Sequence, residues 1–237
     1  METPGPDVND VSQVRAGLAS VRERIGRAGG GADVAILAVT KAFGPEVIDL
    51  AAAAGCRAVG ENYAQELLSK RDALARHPEL DVHFIGQLQT NKVRQLAGLV
   101  TVYETVDRAK LAREIAKRDP GAAVMIQVET SALTGELAAG KGGCALSDLD
   151  ELVGVTRELG LDLRGLMTVG PTEGGPEAAR PGFVAVRAAA DRLGLGQCSM
   201  GMSADLEVAV ECGSTEVRVG TALFGSRPVP VQRDQGR

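Results

Sequence analysis

The chain has few aromatic residues and no long apolar run. Only 3% of its 237 residues are aromatic and tryptophan is absent, whereas 44% are hydrophobic. The core must therefore be built from Ala, Val, Leu and Ile, which suits helices packed in layers on a sheet. No apolar stretch reaches the roughly 20 residues needed to cross a bilayer, so we expect no membrane span.

Cysteine and histidine are also scarce. The chain has only two histidines and four cysteines, without a CxxC pair, which excludes the usual spacings of metal sites. The widely separated cysteines are Cys56, Cys144, Cys198 and Cys212. We interpret them as reduced thiols and expect a cytoplasmic protein. The polar, proline-containing segment 1–10 does not have the pattern of a signal peptide, so we expect none.

Positive charge is not in excess. The chain has 26 basic and 31 acidic residues, a net charge of −5. This balance argues against a nucleic acid or a membrane surface as a partner recognised through bulk charge.

Apolar runs alternate with amphipathic stretches along the whole chain. A first helix is predicted at about residues 10–27, where apolar residues recur at three- and four-residue spacing. Strands are predicted at residues 34–40, 58–60, 83–85, 100–104, 123–128, 163–167, 198–200 and 217–219. Helices are predicted between them at residues 45–54, 64–75, 91–97, 108–117, 148–159, 183–193 and 204–210.

This alternation predicts parallel strands joined by right-handed crossovers. Eight units favour a single α/β domain, a (β/α)₈ TIM barrel with an extra N-terminal helix, whose core spans about residues 31–228 of 1–237. An open doubly wound sheet is the alternative. The barrel is preferred because polar or glycine-bearing segments follow every strand and no GxGxxG follows the first. We expect the irregular segments 134–143 and 170–181 to cover the barrel mouth, and the tail after Gly225 to be frayed.

Lys41 is the strongest candidate for chemistry. It ends the buried strand predicted at residues 34–40, where α/β enzymes place reactive groups. Desolvation there lowers an ammonium pKa and frees the amine as a nucleophile, as Schiff-base lysines require. A strand-end lysine that merely reaches solvent is the alternative.

Two late segments suggest an anion site beside it. Loops after the seventh and eighth strands of barrels commonly bind phosphate. Here Gly201 and Gly220 allow close backbone approach, and Ser203 and Thr221 add hydroxyl donors, although such residues also form simple turns. Arg218 lies within the last strand and needs an acceptor, either a ligand or a strand-end carboxylate such as that of Glu61 or Glu129. A nucleophilic lysine, a phosphate cradle and a facing arginine together describe a pyridoxal 5′-phosphate pocket.

Six motifs in order make the chain resemble a known family. They are AVTK at 38–41, GENYAQE at 60–66, HFIGQLQTNK at 83–92, RGLM at 164–167, SMGMSAD at 199–205 and GSTEVRVGTALFG at 213–225. The chain resembles the YggS/PROSC family of pyridoxal-phosphate homeostasis proteins. The resemblance implies a barrel like the N-terminal domain of alanine racemase.

The resemblance also implies roles for individual residues. Lys41 would form the aldimine with pyridoxal 5′-phosphate, and Arg218 would face its pyridine nitrogen. The remaining cofactor-binding residues would be Asn62 and Met167 along the ring, Ser203, Gly220 and Thr221 at the phosphate, and Ser199 and Gly201 nearby. Two departures from the family pattern are Pro45, four residues after Lys41 instead of three, and the segment 168–171, Thr-Val-Gly-Pro. The roles of His83 and Lys92 stay open.

Three functions are compatible with such a pocket: a non-catalytic carrier in pyridoxal-phosphate homeostasis, an amino-acid racemase, and a Schiff-base aldolase. Racemisation needs a base on each face of the ring, and in alanine racemases a tyrosine from a C-terminal domain supplies one. The chain's only tyrosines, Tyr63 and Tyr103, lie in the early barrel. We therefore expect a carrier with no catalytic residue and no metal, a monomer whose partners are the cofactor and the apo-enzymes that receive it.

Overall fold

The structure, a computed structural model, describes residues 10–134 and 142–226. Its centre is a closed barrel of eight parallel strands arranged in sequence order. The strands are β1 (Ala35–Val39), β2 (Ala58–Glu61), β3 (Asp81–Phe84), β4 (Val102–Val106), β5 (Ala123–Gln127), β6 (Asp162–Met167), β7 (Gln197–Ser199) and β8 (Glu216–Val219). Each predicted strand is present within two residues of its predicted ends, so the barrel is confirmed and the open sheet is wrong.

The barrel closes where β1 pairs with β8, with Ala38 opposite Val219. Successive side chains point to opposite faces of a strand. One set, which includes Val124 and Ile126, joins the large apolar core shared with the helices. The alternate set, which includes Ala123, Met125 and Met167, forms a smaller cluster. The barrel is thus packed on both sides of its wall, as its Val-, Ile- and Leu-rich strands require.

Helices follow the strands around the outside. They are α1 (Val11–Arg27), α2 (Glu46–Ala54), α3 (Ala64–Ser69), α4 (Arg71–Ala75), α5 (Thr90–Leu96), α6 (Ala109–Arg118), α7 (Ser131–Thr134), α8 (Leu149–Glu158), α9 (Arg180–Arg192), α10 (Leu206–Glu211) and α11 (Thr221–Phe224). None of the helices in the described ranges is both long and apolar enough to span a membrane.

One predicted helix is broken. The pattern over 64–75 predicted a continuous helix, but α3 and α4 are separated at Lys70, whose side chain is 1% exposed. The break carries this lysine into the interior, where it meets a buried glutamate. Hydrophobic periodicity identifies the apolar face of a helix, but it does not show when a single polar side chain points inward.

Helix α1 packs against α2, α10 and α11 on the outside of the barrel. Asp10 caps it by accepting a hydrogen bond from the Ser12 N–H at 3.3 Å. Its apolar stripe, which includes Val14, Val21 and Ile25, is buried. Gly17 lies so close to α11 that a Cβ there would be 2.4 Å from the Ala222 carbonyl oxygen.

Two loop expectations are tested in part. Segment 170–181 contains a short 3₁₀ helix, Pro176–Ala179, and then the start of α9. Most of segment 134–143, and almost all of the tail after Gly225, lie outside the described residues.

Candidate functional site

A cavity of about 350 Å³ opens at the carboxyl ends of the strands. It brings together six of the nine residues predicted to bind a cofactor: Lys41, Asn62, Ser203, Arg218, Gly220 and Thr221. Its apolar lining is Val39, Phe43, Ile85, Val169, Met202 and Ala204. Residues far apart in sequence meet here because parallel strands end at the same edge.

Lys41 sits in a tight turn directly after β1. The next residue, Ala42, has φ 68°, a left-handed conformation that is uncommon for residues other than glycine. Its N–H donates to Glu66 Oε2 of α3 at 2.8 Å, which holds the turn in place. On the other side of the turn, the Phe43 ring packs against Phe224 of α11, with centroids 5.7 Å apart.

A buried ion pair lies behind this turn. Lys70 Nζ donates to Glu61 Oε1 at 2.5 Å and to the Thr40 carbonyl oxygen at 2.8 Å. The Thr40 hydroxyl donates to the same Glu61 oxygen at 2.6 Å. Burial raises the pKa of Glu61, and the neighbouring Lys70 charge and hydrogen bonds offset that rise only in part. Thr40, the residue preceding Lys41, is therefore anchored by two buried side chains, those of Lys70 and Glu61.

Arg218 projects from β8 and is 5% exposed. Nη1 donates to the Ser199 carbonyl oxygen at 2.6 Å and to Ser199 Oγ at 2.8 Å, and Nη2 donates to the Thr168 carbonyl oxygen at 2.6 Å. These contacts account for three of the five N–H groups of a guanidinium, and Arg218 also lines the cavity. Its partners are neutral groups on β7 and after β6, not the Glu61 or Glu129 carboxylates considered from the sequence.

Ser203, Gly220 and Thr221 lie on the side of the cavity formed by the last two strand ends. A Cβ at Gly220 would sit 3.0 Å from the Val39 carbonyl oxygen, so a larger residue would crowd β1. Arg24 of α1 donates to the Ser203 carbonyl oxygen at 2.9 Å and pairs with Glu207 at 2.6 Å. The extra N-terminal helix therefore fixes the loop that carries Ser203.

Met167, Ser199 and Gly201 do not line the cavity. Met167 is 1% exposed within the smaller core cluster of the barrel. Ser199 is fully buried and holds Arg218, and the Gly201 carbonyl oxygen accepts from the Arg218 N–H at 3.0 Å. Ser199 and Gly201 thus support Arg218, whereas Met167 packs in the barrel interior.

Sequence reasoning missed two buried polar groups: the Lys70–Glu61 pair, and a cluster of His83, Glu104 and Glu216 inside the barrel. His83 lines a second cavity at the opposite, amino-terminal mouth, away from Lys41. A charged residue inside an apolar strand, as Glu104 is, was the available signal.

The family model of the alanine racemase N-terminal domain matches residues 10–228. This chain belongs to that family. Within it, the chain belongs to the YggS/PROSC proteins, as the six motifs predicted. It is 42% identical over 226 residues to the pyridoxal phosphate homeostasis protein of Aquifex aeolicus, covering 89% of this chain and 96% of the relative. It is 40% identical to the protein of the same name from Pseudomonas aeruginosa, over 92% of this chain and 94% of the relative.

Solved structures agree on the fold. PipY of Synechococcus elongatus with PLP bound superposes with a TM-score of 0.76 at 30% identity, covering 90% of this chain and all of PipY. An alanine racemase of Clostridium difficile superposes with a TM-score of 0.70 at 15% identity, covering 92% of this chain and 57% of the racemase. The second likeness shows the barrel fold alone.

Proposed function

We propose that this protein binds pyridoxal 5′-phosphate in the 350 Å³ cavity and acts as a carrier in intracellular homeostasis of that cofactor. One observation carries the proposal: Lys41, Arg218, Ser203 and Thr221 line one cavity at the carboxyl ends of the strands. The relatives named for pyridoxal phosphate homeostasis and the PLP-bound PipY structure support it.

The residues fit the cofactor. The cavity lies within the roughly 300–1,000 Å³ typical of small-molecule sites and combines an apolar lining with polar and basic side chains. When bound, pyridoxal 5′-phosphate supplies an aldehyde that condenses with an amine. Lys41 would provide that amine. Ser203, Thr221 and the backbone at Gly220 would hold the phosphate, and Asn62 and the apolar side chains would flank the ring.

Arg218 suits mild proton chemistry or none at all. An arginine stays protonated and only donates hydrogen bonds, so it disfavours a proton on a ring nitrogen that faces it. Ser199 and Thr168 bind the guanidinium and Gly201 binds the backbone N–H, so these residues fix Arg218 at the cavity wall. A ring nitrogen kept unprotonated would make the bound cofactor a weak electron acceptor.

The cavity also lacks a second base among its described lining residues. Tyr63 is 59% exposed, and the buried Tyr103 donates to Asp119 at 3.2 Å; neither lines the cavity. Racemisation requires proton transfer on both faces of the ring, and Lys41 serves one face. This arrangement supports the absence of robust catalysis.

Three further features belong to the same proposal. The chain would act as one cofactor-binding barrel domain, with its core at about residues 31–228 and helix α1 as part of the site. It would work as a monomer that delivers cofactor to apo-enzymes. Four buried free cysteines fit a reducing compartment and support the cytoplasm as its location.

The test is covalent trapping. The purified protein should be yellow, and borohydride should fix the cofactor irreversibly to Lys41, as peptide mapping would show. The Lys41→Ala variant should lose the fixed label, whereas Lys92→Ala should retain it. A label on another lysine, or no label, would contradict the assignment.

Carrier and racemase differ in proton exchange. We expect no deuterium at Cα when holo-protein is incubated with L-alanine in deuterated water, and we expect transfer of cofactor to an added apo-enzyme. Deuterium uptake at an enzymatic rate that disappears in Lys41→Ala would instead support the racemase function.

A further inference from the structure

A second cavity lies at the opposite end of the barrel from Lys41. It measures about 640 Å³ and opens between the amino ends of the strands. Arg22, Arg57 and Arg164 contribute to its lining, and His83 and Glu216 reach it from the barrel interior. The proposed carrier function makes no use of this cavity.

Three side chains that can ligate a metal converge inside the barrel next to this cavity. His83 extends from β3, Glu104 from β4 and Glu216 from β8, and each residue is less than a tenth exposed. One potential ligand atom from each lies within 4.8 Å of the other two. His83 Nδ1 is 2.6 Å from Glu104 Oε1 and 3.7 Å from Glu216 Oε2.

Both carboxylates retain coordinating capacity. Glu104 Oε2 and Glu216 Oε1 are buried, and no hydrogen-bond donor within residues 10–134 and 142–226 reaches either atom. An unpartnered carboxylate oxygen in a protein interior is costly and needs a ligand or a proton. Glu104 and Glu216 also lie within hydrogen-bond distance of each other, so their oxygens require either a shared proton or a cation that replaces it.

We propose that His83, Glu104 and Glu216 bind a divalent transition-metal cation that enters from the amino-terminal cavity. An ion about 2.0–2.2 Å from each donor requires tetrahedral donor separations of roughly 3.4 Å. The 3.7 Å separation between His83 Nδ1 and Glu216 Oε2 is close to that value, whereas the 2.6 Å hydrogen bond between His83 and Glu104 has to open to admit the ion. One imidazole and two carboxylates suit zinc, with the remaining position open toward the cavity. Oxygen-only magnesium or calcium sites do not use imidazole.

The surroundings would complete such a site. The Ser199 hydroxyl contacts the Glu104 and Glu216 carboxylates, and it also accepts from Arg218, so it would hold the two ligands in position.

Zinc binding tests the proposal with an internal control. The chain has only two histidines, so untagged holo-protein carries one candidate imidazole in the barrel and one, His77, on the surface beside Asp49 and Glu79. Competition with a chromogenic chelator should reveal one tight zinc ion per chain. Glu216→Gln, which keeps the size of the side chain, should weaken that zinc at least about tenfold, because even outer partners of metal ligands contribute about 10–100-fold. His77→Asn should leave it unchanged.

The position of the bound zinc ion provides the second measurement. Crystals of the full chain grown with zinc should show an anomalous peak between His83, Glu104 and Glu216, and Glu216→Gln crystals should lose it. Zinc bound only at His77 or at surface carboxylates, or a tight site unaffected by Glu216→Gln, would overturn the proposal and leave a closed proton-sharing network. Cofactor loading at Lys41 is not part of either readout, so failure here is distinguishable from failure of the carrier function.

Discussion

Lys70 anchors the backbone immediately before Lys41. It is 1% exposed and reaches both the Glu61 carboxylate and the Thr40 carbonyl oxygen. A buried ion pair contributes little net stability compared with an apolar pair, but removing one partner leaves a charge without compensation. The pair therefore acts chiefly to position the turn that presents Lys41.

Lys70→Met should destabilise the protein by about 3–5 kcal/mol, because Glu61 would then be buried without its partner. Urea unfolding measures this loss. The exposed control Lys117→Met should change stability by less than about 0.5 kcal/mol. The double variant Lys70→Met with Glu61→Leu should recover much of the loss, since both charges are gone; no recovery would contradict this account of the pair.

The hydroxyls of Ser203 and Thr221 should determine the preference for a phosphorylated cofactor. Hydrogen bonds to charged groups contribute about 1.5–3 kcal/mol each. Ser203→Ala with Thr221→Ala should therefore weaken pyridoxal 5′-phosphate at least about tenfold, because about 1.4 kcal/mol corresponds to one decade. Fluorescence or absorbance titration measures the affinity for the cofactor, and the surface variant Ser147→Ala serves as control. Wild-type protein that bound pyridoxal and its phosphate equally would argue against this cradle.

At the scale of secondary-structure elements, the hydrophobic pattern of the sequence predicted the strands and most of the helices. Apolar strands bounded by polar residues and glycine located all eight strands, and the 3.6-residue period located the main helices. It could not predict the break at Lys70 or the meeting of Glu104 with Glu216, which stand over 100 positions apart. Such contacts depend on barrel closure, and no local pattern encodes them. The family motifs supplied Asn62 and Arg218, whereas the support of Arg218 by the Thr168 carbonyl required the structure.

Two glycines of helix α1 test whether close packing or helix propensity has the larger effect on stability. Gly17→Ala replaces a poor helix former by the best one, yet its Cβ would lie 2.4 Å from the Ala222 carbonyl oxygen. We expect a net loss of about 1–3 kcal/mol, as for overpacked cores. Gly26→Ala in the same helix meets no atom within 4 Å and should be neutral or stabilise by up to about 1 kcal/mol. Thermal unfolding of the two variants should move in opposite directions; a stabilised Gly17→Ala would contradict the close approach.

Across the whole molecule, all four cysteines are buried. Burial raises the pKa of Cys56 and Cys198 to about 11 and that of Cys144 to about 12, while burial also raises that of Cys212 despite the nearby Arg180. The thiolate is the reactive form. At pH 8 we expect iodoacetamide to label native protein far more slowly than protein in guanidinium, with Cys212 reacting first. Rapid native labelling of Cys56 or Cys144 would show that the barrel opens readily.

The packing of α1 also has a consequence for synthesis. The helix is made first, but two of its main partners, α10 and α11, lie at the far end of the chain, as does β8, which closes the barrel on β1. During translation its apolar stripe therefore stays largely uncovered until the last strand has left the ribosome. Contacts of such long sequence separation also slow folding. A nascent chain stopped before β8 would expose both an open strand edge and this stripe, the features that chaperones and proteases recognise.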